Sequence, residues 1–407
     1  MPHSTRPPSQ ITDQPDPRIA LLLTAAVHRD PAHARRAWQQ LADDVTGTTE
    51  STGITGITGV DPSHDGSART DTYADTHADT HPRLHLLITW LQSGPQQRLM
   101  PLLSSRAAAL QLPDLVDMAC AHAAAVAWGL NVRIIEAIEP VVTAWRRAGI
   151  DALAIKGLGL LGDAHVDHRY RPLGDADLLV PEHRLDDAFA VLAELGWHVA
   201  TRHRWHLAGR GTAVNIGNGS GVSIDVHRRT ARTMPVAQQG ELWRGAEPLP
   251  AGHPLAATGL HRPSPLQHAL ALVAHASGST ALPHVLTDLH QHLVVHPTLG
   301  TDSDTVAAAL ARHHLTARAA ATLSTLHALL GTPMPIDLVR LDHRPDPVEA
   351  RIIAADARLA SPRHDSRIAR RVADYVRITG AGGGAGAHLA ALGGVALRAT
   401  AARLDRR

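Results

Sequence analysis

The chain has 407 residues, a formal net charge of +1, 3% aromatic residues and a single cysteine, Cys120. Such a length suits two domains and a sizeable core. The near-neutral charge offers no polyelectrolyte attraction to nucleic acid or an anionic membrane, the scarcity of aromatics removes most base-stacking platforms, and one cysteine excludes an internal disulfide or a cysteine-built zinc cluster.

Residues 1–17 are Pro-rich and predicted to be disordered. Met1-Pro2-His3-Ser4 lacks the basic-then-apolar pattern of a leader, and no stretch has the uninterrupted apolar length of a membrane span, so a cytoplasmic location is expected. From 18 to 150 the chain reads as helical. Ile19, Leu22, Leu23, Ala26 and Val27 are spaced for one buried face within 18–44, and Val132, Ile135, Ile138 and Val142 repeat the spacing within 83–148. Cys120 falls in an Ala-rich run there, where a small buried apolar side chain is expected. Pro113, with Asp114 and Asp117 after it, marks a helix start. Between these stretches, about 46–82 is rich in Thr, Gly, Asp and Ser, with short echoes such as Thr52-Gly53-Ile54-Thr55-Gly56-Ile57. It has too little apolar area to offset ordering entropy and reads as a flexible insert.

A core domain over 151–260 follows: strand, glycine turn and helix (152–166), strand (175–180), helix (182–195), then strands around 197–226. In the 182–195 helix Leu185, Phe189, Leu192 and Leu195 form the apolar stripe and Gly196 the stop. Asn218-Gly219 signals a hairpin. A C-terminal helical region spans 261–378. Ser264-Pro265 opens its first helix, with Leu266, Leu270 and Val273 inward, and further helices are predicted near 283–295, 304–331 and 347–378. Residues 379–407 form a Gly/Ala-rich tail, and no solenoid-period repeat is apparent. The fold class is therefore α/β in the α+β sense: a small mixed sheet flanked by N- and C-terminal helical segments.

The chemistry concentrates in the core. Arg171-Pro172-Leu173-Gly174-Asp175-Ala176-Asp177-Leu178-Leu179-Val180 sets two carboxylates two residues apart at the start of an apolar strand, where they project side by side. Like charges held that close need a compensating cation or a shared proton, and Mg²⁺ is a common solution because it takes oxygen ligands. Val222-Ser223-Ile224-Asp225-Val226-His227 alternates as a half-buried strand with Ser223, Asp225 and His227 on one face, so Asp225 can join the pair from a neighbouring strand. Upstream, the strand Ala152–Ile155 runs into Lys156-Gly157-Leu158-Gly159. Glycine there permits close backbone approach, and helix N-termini offer N–H groups to phosphate. Lys156 adds a point charge, and Arg169 and Arg171 can supply forked phosphate contacts. Taken singly, each residue has a bland explanation (a turn cap, a solvated charge, a strand-end lysine), but their order along the chain is harder to attribute to chance.

Lys156-Gly157, Arg171 through Val180, and Ile224-Asp225-Val226-His227 together resemble the nucleotidyltransferase family of the DNA polymerase beta superfold, and more narrowly a bacterial branch described only as uncharacterised nucleotidyltransferases. The resemblance covers roughly 150–295. It implies that Asp175, Asp177 and Asp225 are the catalytic residues and bind two Mg²⁺ ions. It also implies that Gly157 faces the triphosphate of an NTP substrate, whose phosphate charge Lys156, Arg169 and Arg171 are placed by their own chemistry to neutralise. The wider superfold carries Gly-Gly or Gly-Ser in this turn; the narrower branch carries Lys-Gly, as here. His275 and Asp288 resemble a His and an Asp in the helical part of that branch, which makes them substrate-facing or supporting candidates; a polar pair stitching two helices is the alternative.

Three further features are weighed. The 29 histidines include three-residue pairs, His165 with His168 and His203 with His206, but histidines are as frequent in the insert, which points to compositional bias rather than zinc ligation. His227, on the face of Asp225, either orients substrate, acts as a base, or hydrogen-bonds at the rim. Gly380-Ala381-Gly382-Gly383-Gly384-Ala385-Gly386 follows a predicted helix, not a strand, and reads as a joint rather than a dinucleotide-binding turn. The expected activity is Mg²⁺-dependent transfer of a nucleoside monophosphate from an NTP to an unidentified hydroxyl acceptor with release of pyrophosphate. The alternative is an inactive nucleotide-binding or partner-binding scaffold of the same fold.

Overall fold

The computed structural model describes residues 17–46, 80–163, 167–199, 212–230, 239–278, 283–337, 341 and 344–360. The predicted N-terminal disorder, nearly all of the 46–82 insert, His165, His203, His206 and the glycine run at 380–386 lie outside the described residues.

Two helices open the described chain, α1 (Pro17–Val27) and α2 (Pro31–Thr46), where the sequence suggested one helical stretch; Pro31 begins the second. In α2 the buried residues Ala34, Ala37, Trp38 and Leu41 recur at three- and four-residue intervals, a stripe that turns one face inward. After α3 (Thr80–Gln92) and the short α4 (Met100–Ser104) and α5 (Ala107–Leu110) comes α6 (Asp114–Arg147), the longest helix described. Pro113 stands at its N-cap. Asp114 and Asp117 in the first turn and Arg146 and Arg147 in the last complement the helix dipole. By length and composition α6 is long and apolar enough to cross a bilayer; its buried side chains join two cores. Val116 and Cys120 belong to an all-helical core, and Ile134, Ile138, Val141, Val142 and Trp145 to the core behind the sheet.

The sheet has six strands in the order β3-β4-β2-β1-β6-β5: β1 (Leu153–Ala154), β2 (Ala176–Leu179), β3 (Ala213–Gly217), β4 (Ser223–His227), β5 (Glu247–Pro248) and β6 (His261–Arg262). It is mixed: β2 and β4 pair parallel, as do β1 and β6, while β1–β2, β3–β4 and β5–β6 are antiparallel. The β3–β4 hairpin turns through Asn218–Gly221, where Gly219 and Gly221 take φ of +80° and +83° and the Asn218 side chain accepts from Ser220 N–H at 2.9 Å. This mixed sheet with many flanking helices is the α+β arrangement the sequence led us to expect.

Between β1 and β2 lies the short α7 (Lys156–Leu160), and after β2 comes α8 (Leu185–Glu194), preceded by a 3₁₀ turn at Glu182–Arg184. Leu185, Phe189 and Leu192 of α8 are buried. Leu195, placed on the same stripe by periodicity, is 43% exposed because the helix has ended at Glu194, and Gly196 (φ +83°) turns the chain away. The remaining helices among the described residues are α9 (Gln239–Arg244), α10 (Pro265–Gly278), α11 (Pro283–Val295), α12 (Ser303–Arg312), α13 (Thr316–Leu330) and α14 (Pro347–Ala360). The single helix expected over 304–331 is two helices. His314, at φ +54°, breaks the run, and the Asp302 side chain caps α12 by accepting from Thr305 N–H at 2.8 Å. Helices α10 to α13 share the helical core with α1 to α4 and the start of α6, so segments from both ends of the described chain bury one another. The turn-and-helix α7 lies between the cores, Leu160 in the helical one and Leu158 and Leu161 in the other.

Candidate active site

Strands β2 and β4 run parallel with Asp177 opposite Asp225 and Leu179 opposite His227. Residues at matched positions of adjacent strands share a face, and alternate residues return to it. Asp177, Asp225 and His227 thus emerge together, with one ligand atom from each within 4.8 Å of the others. Strand β3 adds Asn215, paired across the hairpin with Asp225, whose Nδ2 donates to Asp225 Oδ1 at 2.7 Å.

Asp175 stands in the bend just ahead of β2. Burial, reinforced by the negative charges of Asp177 and Asp225 and partly offset by Lys156 and His227, raises its carboxyl to about 6. Asp177 is treated oppositely. Burial works to raise it, but the charge of Lys156 and the hydrogen bonds from His227 and Lys156 outweigh burial and hold the carboxyl well below the usual range.

Lys156 begins α7 with φ +49°, a left-handed conformation uncommon for any residue but glycine. Its Nζ donates to Asp177 Oδ1 at 2.6 Å, the same oxygen that His227 Nε2 meets at 2.8 Å, and its carbonyl oxygen lies 3.1 Å from His268 Nε2 of α10. Positions strained in this way persist where surrounding contacts over-determine them, and they gather at functional sites.

Three residues expected to meet phosphate are arranged differently. Arg171 is buried and makes a two-pronged ion pair with Asp288 of α11, Nε to Oδ1 at 2.9 Å and Nη2 to Oδ2 at 2.6 Å. Gly157 lies in the first turn of α7 directly beneath that guanidinium, which a Cβ at this position would strike. Its lack of a side chain admits Arg171 rather than an open phosphate cradle. Arg169 is exposed and engages its neighbour Asp167, with Nη2 to Oδ2 at 2.6 Å. The structure therefore brings Asp175, Asp177, Asp225, Lys156 and His227 together, sets Gly157 and Arg171 behind them as support, and leaves Arg169 on an outer turn.

The family model for uncharacterised nucleotidyltransferases matches residues 87–331, more than half of the chain. The chain belongs to this nucleotidyltransferase family. No curated protein and no solved structure matches it. The matched span runs from α3 to the end of α13, wider on both sides than the 150–295 over which the motifs are legible, and it takes in the helical core as well as the sheet. Family membership makes the chain a transferase, of the kind that moves nucleoside monophosphates.

Two residues of this nucleotidyltransferase site, Asn131 and Arg98, escape sequence reading. Asn131, buried on α6, clamps the segment leading to Asp175: its Nδ2 donates to the carbonyls of His168 (2.7 Å) and Arg171 (2.8 Å), and its Oδ1 accepts from Leu173 N–H at 2.8 Å. It reads in sequence as one polar residue in an apolar helix. Arg98, exposed ahead of α4, packs against Gly174 and has Nη1 3.1 Å from His284 Nε2. No motif surrounds it. His275 of α10 is close enough to feel the cluster: burial, with Lys156 adding and Asp177 opposing, lowers its imidazole to about 4. Asp288 pairs with Arg171 of the loop before β2 and so braces the acidic segment, rather than stitching two helices together with His275.

Proposed function

We propose that this nucleotidyltransferase belongs to a bacterial branch of the DNA polymerase beta superfold and transfers a nucleoside monophosphate from an NTP to a hydroxyl acceptor. The acceptor oxygen bonds to the α-phosphorus, the bond between that phosphorus and the bridging α–β oxygen breaks, pyrophosphate departs, and the acceptor's proton passes to solvent. The observation that carries this reading is the gathering of Asp175, Asp177 and Asp225 in one cluster, where burial, reinforced by the charges of Asp177 and Asp225, lifts Asp175 to about 6. Such a set of hard oxygen donors fits a hard dication. Asp175, Asp177 and Asp225 would hold Mg²⁺, two ions in this reading, which when bound would neutralise charge on the triphosphate and on the attacking oxygen. Lys156 and His227 fix the orientation of Asp177, and Asn215 fixes that of Asp225. Arg98, beside Gly174, is the exposed cation best set to meet the triphosphate.

A scaffold reading draws on a different observation: Lys156 Nζ already supplies Asp177 with a positive charge at 2.6 Å. An inactive nucleotide-binding protein needs nothing more. Asp225 separates the two. With pyrophosphate release measured for each NTP and cell extract as the acceptor source, Asp225→Asn is expected to cut turnover by orders of magnitude while leaving NTP affinity nearly unchanged, the mark of an interaction made chiefly in the transition state. Equal release by wild type and variant, across all four NTPs, would give the scaffold reading the stronger claim.

A further inference from the structure

Helix α11 carries His284, Asp288 and His292, and His296 follows just past its end, all at four-residue intervals and so along one ridge. The first meets Arg98 and the second Arg171. The third and fourth meet Asp163, on the segment that follows α7, and here the polar accounting fails. Asp163 Oδ2, His292 Nδ1 and His296 Nε2 are all buried with no hydrogen-bond partner. Ligand atoms of these three residues lie within 4.8 Å of one another, and His296 Nε2 is 3.9 Å from Asp163 Oδ2. Buried polar atoms are nearly always satisfied, so three orphans on three residues of one cluster call for a shared partner.

The remaining atoms of the trio are fixed. Asp163 Oδ1 accepts from Arg262 Nη1 at 2.5 Å. His292 Nε2 lies 2.8 Å from the carbonyl oxygen of Pro265, which can only accept, so Nε2 carries the proton and the unpartnered Nδ1 keeps its lone pair free for a metal. A metal-ligating histidine characteristically gives its other N–H to just such a carbonyl.

We propose that Asp163, His292 and His296 form a second metal centre, separate from the acidic cluster, that binds a borderline transition-metal dication of the zinc type. Two imidazole nitrogens and one carboxylate oxygen suit zinc, whereas Mg²⁺ favours oxygen donors throughout. Bonds of about 2.0–2.1 Å in a tetrahedral site put ligand atoms about 3.3 Å apart, so side chains whose ligand atoms now lie within 4.8 Å of one another would close inward on binding. Arg262 on the outer carboxylate oxygen holds Asp163 in its ligating pose. Three protein ligands leave a fourth position for water. The ion would tie the end of α11 to the segment behind α7, bracing the helix that begins with Lys156.

The test uses the full chain without a polyhistidine tag. Metal-stripped protein in excess Mg²⁺, which fills the oxygen sites, is titrated with Co²⁺. The expected result is a visible d–d band of a low-coordinate, nitrogen-bearing site that saturates at one equivalent, is lost in His296→Gln and survives in Asp225→Asn. Zinc retained after dialysis, measured by mass spectrometry, should be one equivalent lower in His296→Gln than in wild type, so that weak binding by the many other histidines cancels in the difference. His296 is the least buried of the three, and circular dichroism checks that the variant folds. A band that persists in folded His296→Gln, or equal zinc in the two proteins, overturns the proposal. Should the variant not fold, the wild-type titration decides alone, since no saturating one-equivalent band means no such site.

Discussion

Asp175 and Asp288 are both largely buried carboxylates, and their surroundings treat them in opposite ways. Asp175 faces two other carboxylates, so its ionised form is crowded by like charge. Asp288 faces a guanidinium with matched two-pronged geometry at 2.6 and 2.9 Å. Burial still pushes Asp288 upward, and Arg171 pulls it back without fully offsetting the push. A buried pair of this kind adds little net stability over apolar residues, but losing one partner strands the other in a medium that cannot solvate it. The first site holds charge that the fold compensates only in part; the second compensates charge to hold the fold. Proximity to the acidic segment does not separate these roles, whereas the identity of the facing group does.

The largest effect follows from breaking the compensated side. Asp288→Asn leaves Arg171 buried without a carboxylate and should cost about 3–5 kcal/mol in urea unfolding. Replacing both partners, Arg171→Met with Asp288→Leu, should recover most of that loss. A double variant as unstable as Asp288→Asn alone would mean that the pair does more than neutralise itself.

Relieving the crowded side should act in the other direction. The Asp175 carboxyl titrates near 6 in the folded state against 3.8 when unperturbed. Between those values the native protein keeps a proton that the unfolded chain has released, so stability falls as pH rises from about 4 to about 6 and stays lower above. Asp175→Asn removes that loss and should stabilise the metal-free protein at pH 7 by up to about 3 kcal/mol, flattening the slope across this window. Melting curves at pH 4 and pH 7 read both effects. Mg²⁺ should raise the Tm of wild type more than that of the variant, because wild type has one more carboxylate charge for the ion to relieve.

The smallest effect lies where the two regions touch. Gly157→Ala drives a methyl group into the Arg171 guanidinium and should cost about 1–3 kcal/mol as an overpacked contact. In the Asp288→Asn background, where Arg171 is no longer pinned, the penalty should shrink, and a double-mutant cycle measures the coupling. Full additivity would show that the glycine is needed for some reason other than the guanidinium above it.

The legibility of the molecule follows the range of the interactions involved. Strand alternation is local, so the shared face of Ser223, Asp225 and His227 follows from spacing alone, whereas Asp175, expected on the same strand as Asp177, stands in the bend ahead of it. Helix starts at Asp114, Pro265 and Pro283 likewise follow from proline and first-turn residues. The break between α12 and α13 was not legible, because histidine carries no strong signal for the left-handed conformation that His314 adopts. Arg171 shows where such reading stops. Its position before two acids suggests phosphate binding, but its partner lies 117 residues away on α11, and nothing near it in sequence announces that pairing.

The sequence by itself determined which residues alternate, where helices begin, and that three acids, a lysine and a glycine turn occur in the order of a nucleotidyltransferase. Each of these is a property of neighbours along the backbone, set by the periods of strand and helix. Tertiary structure alone decided that Asp177 stands opposite Asp225 in register, that Asn131 clamps the acidic segment, that Arg171 is spent on Asp288 over Gly157, and that Asp163 meets His292 and His296. The physical reason is that charge and hydrogen-bonding capacity acquire a role only from the group they face, and burial fixes that group by packing elements whose separation in sequence carries no record of their contact.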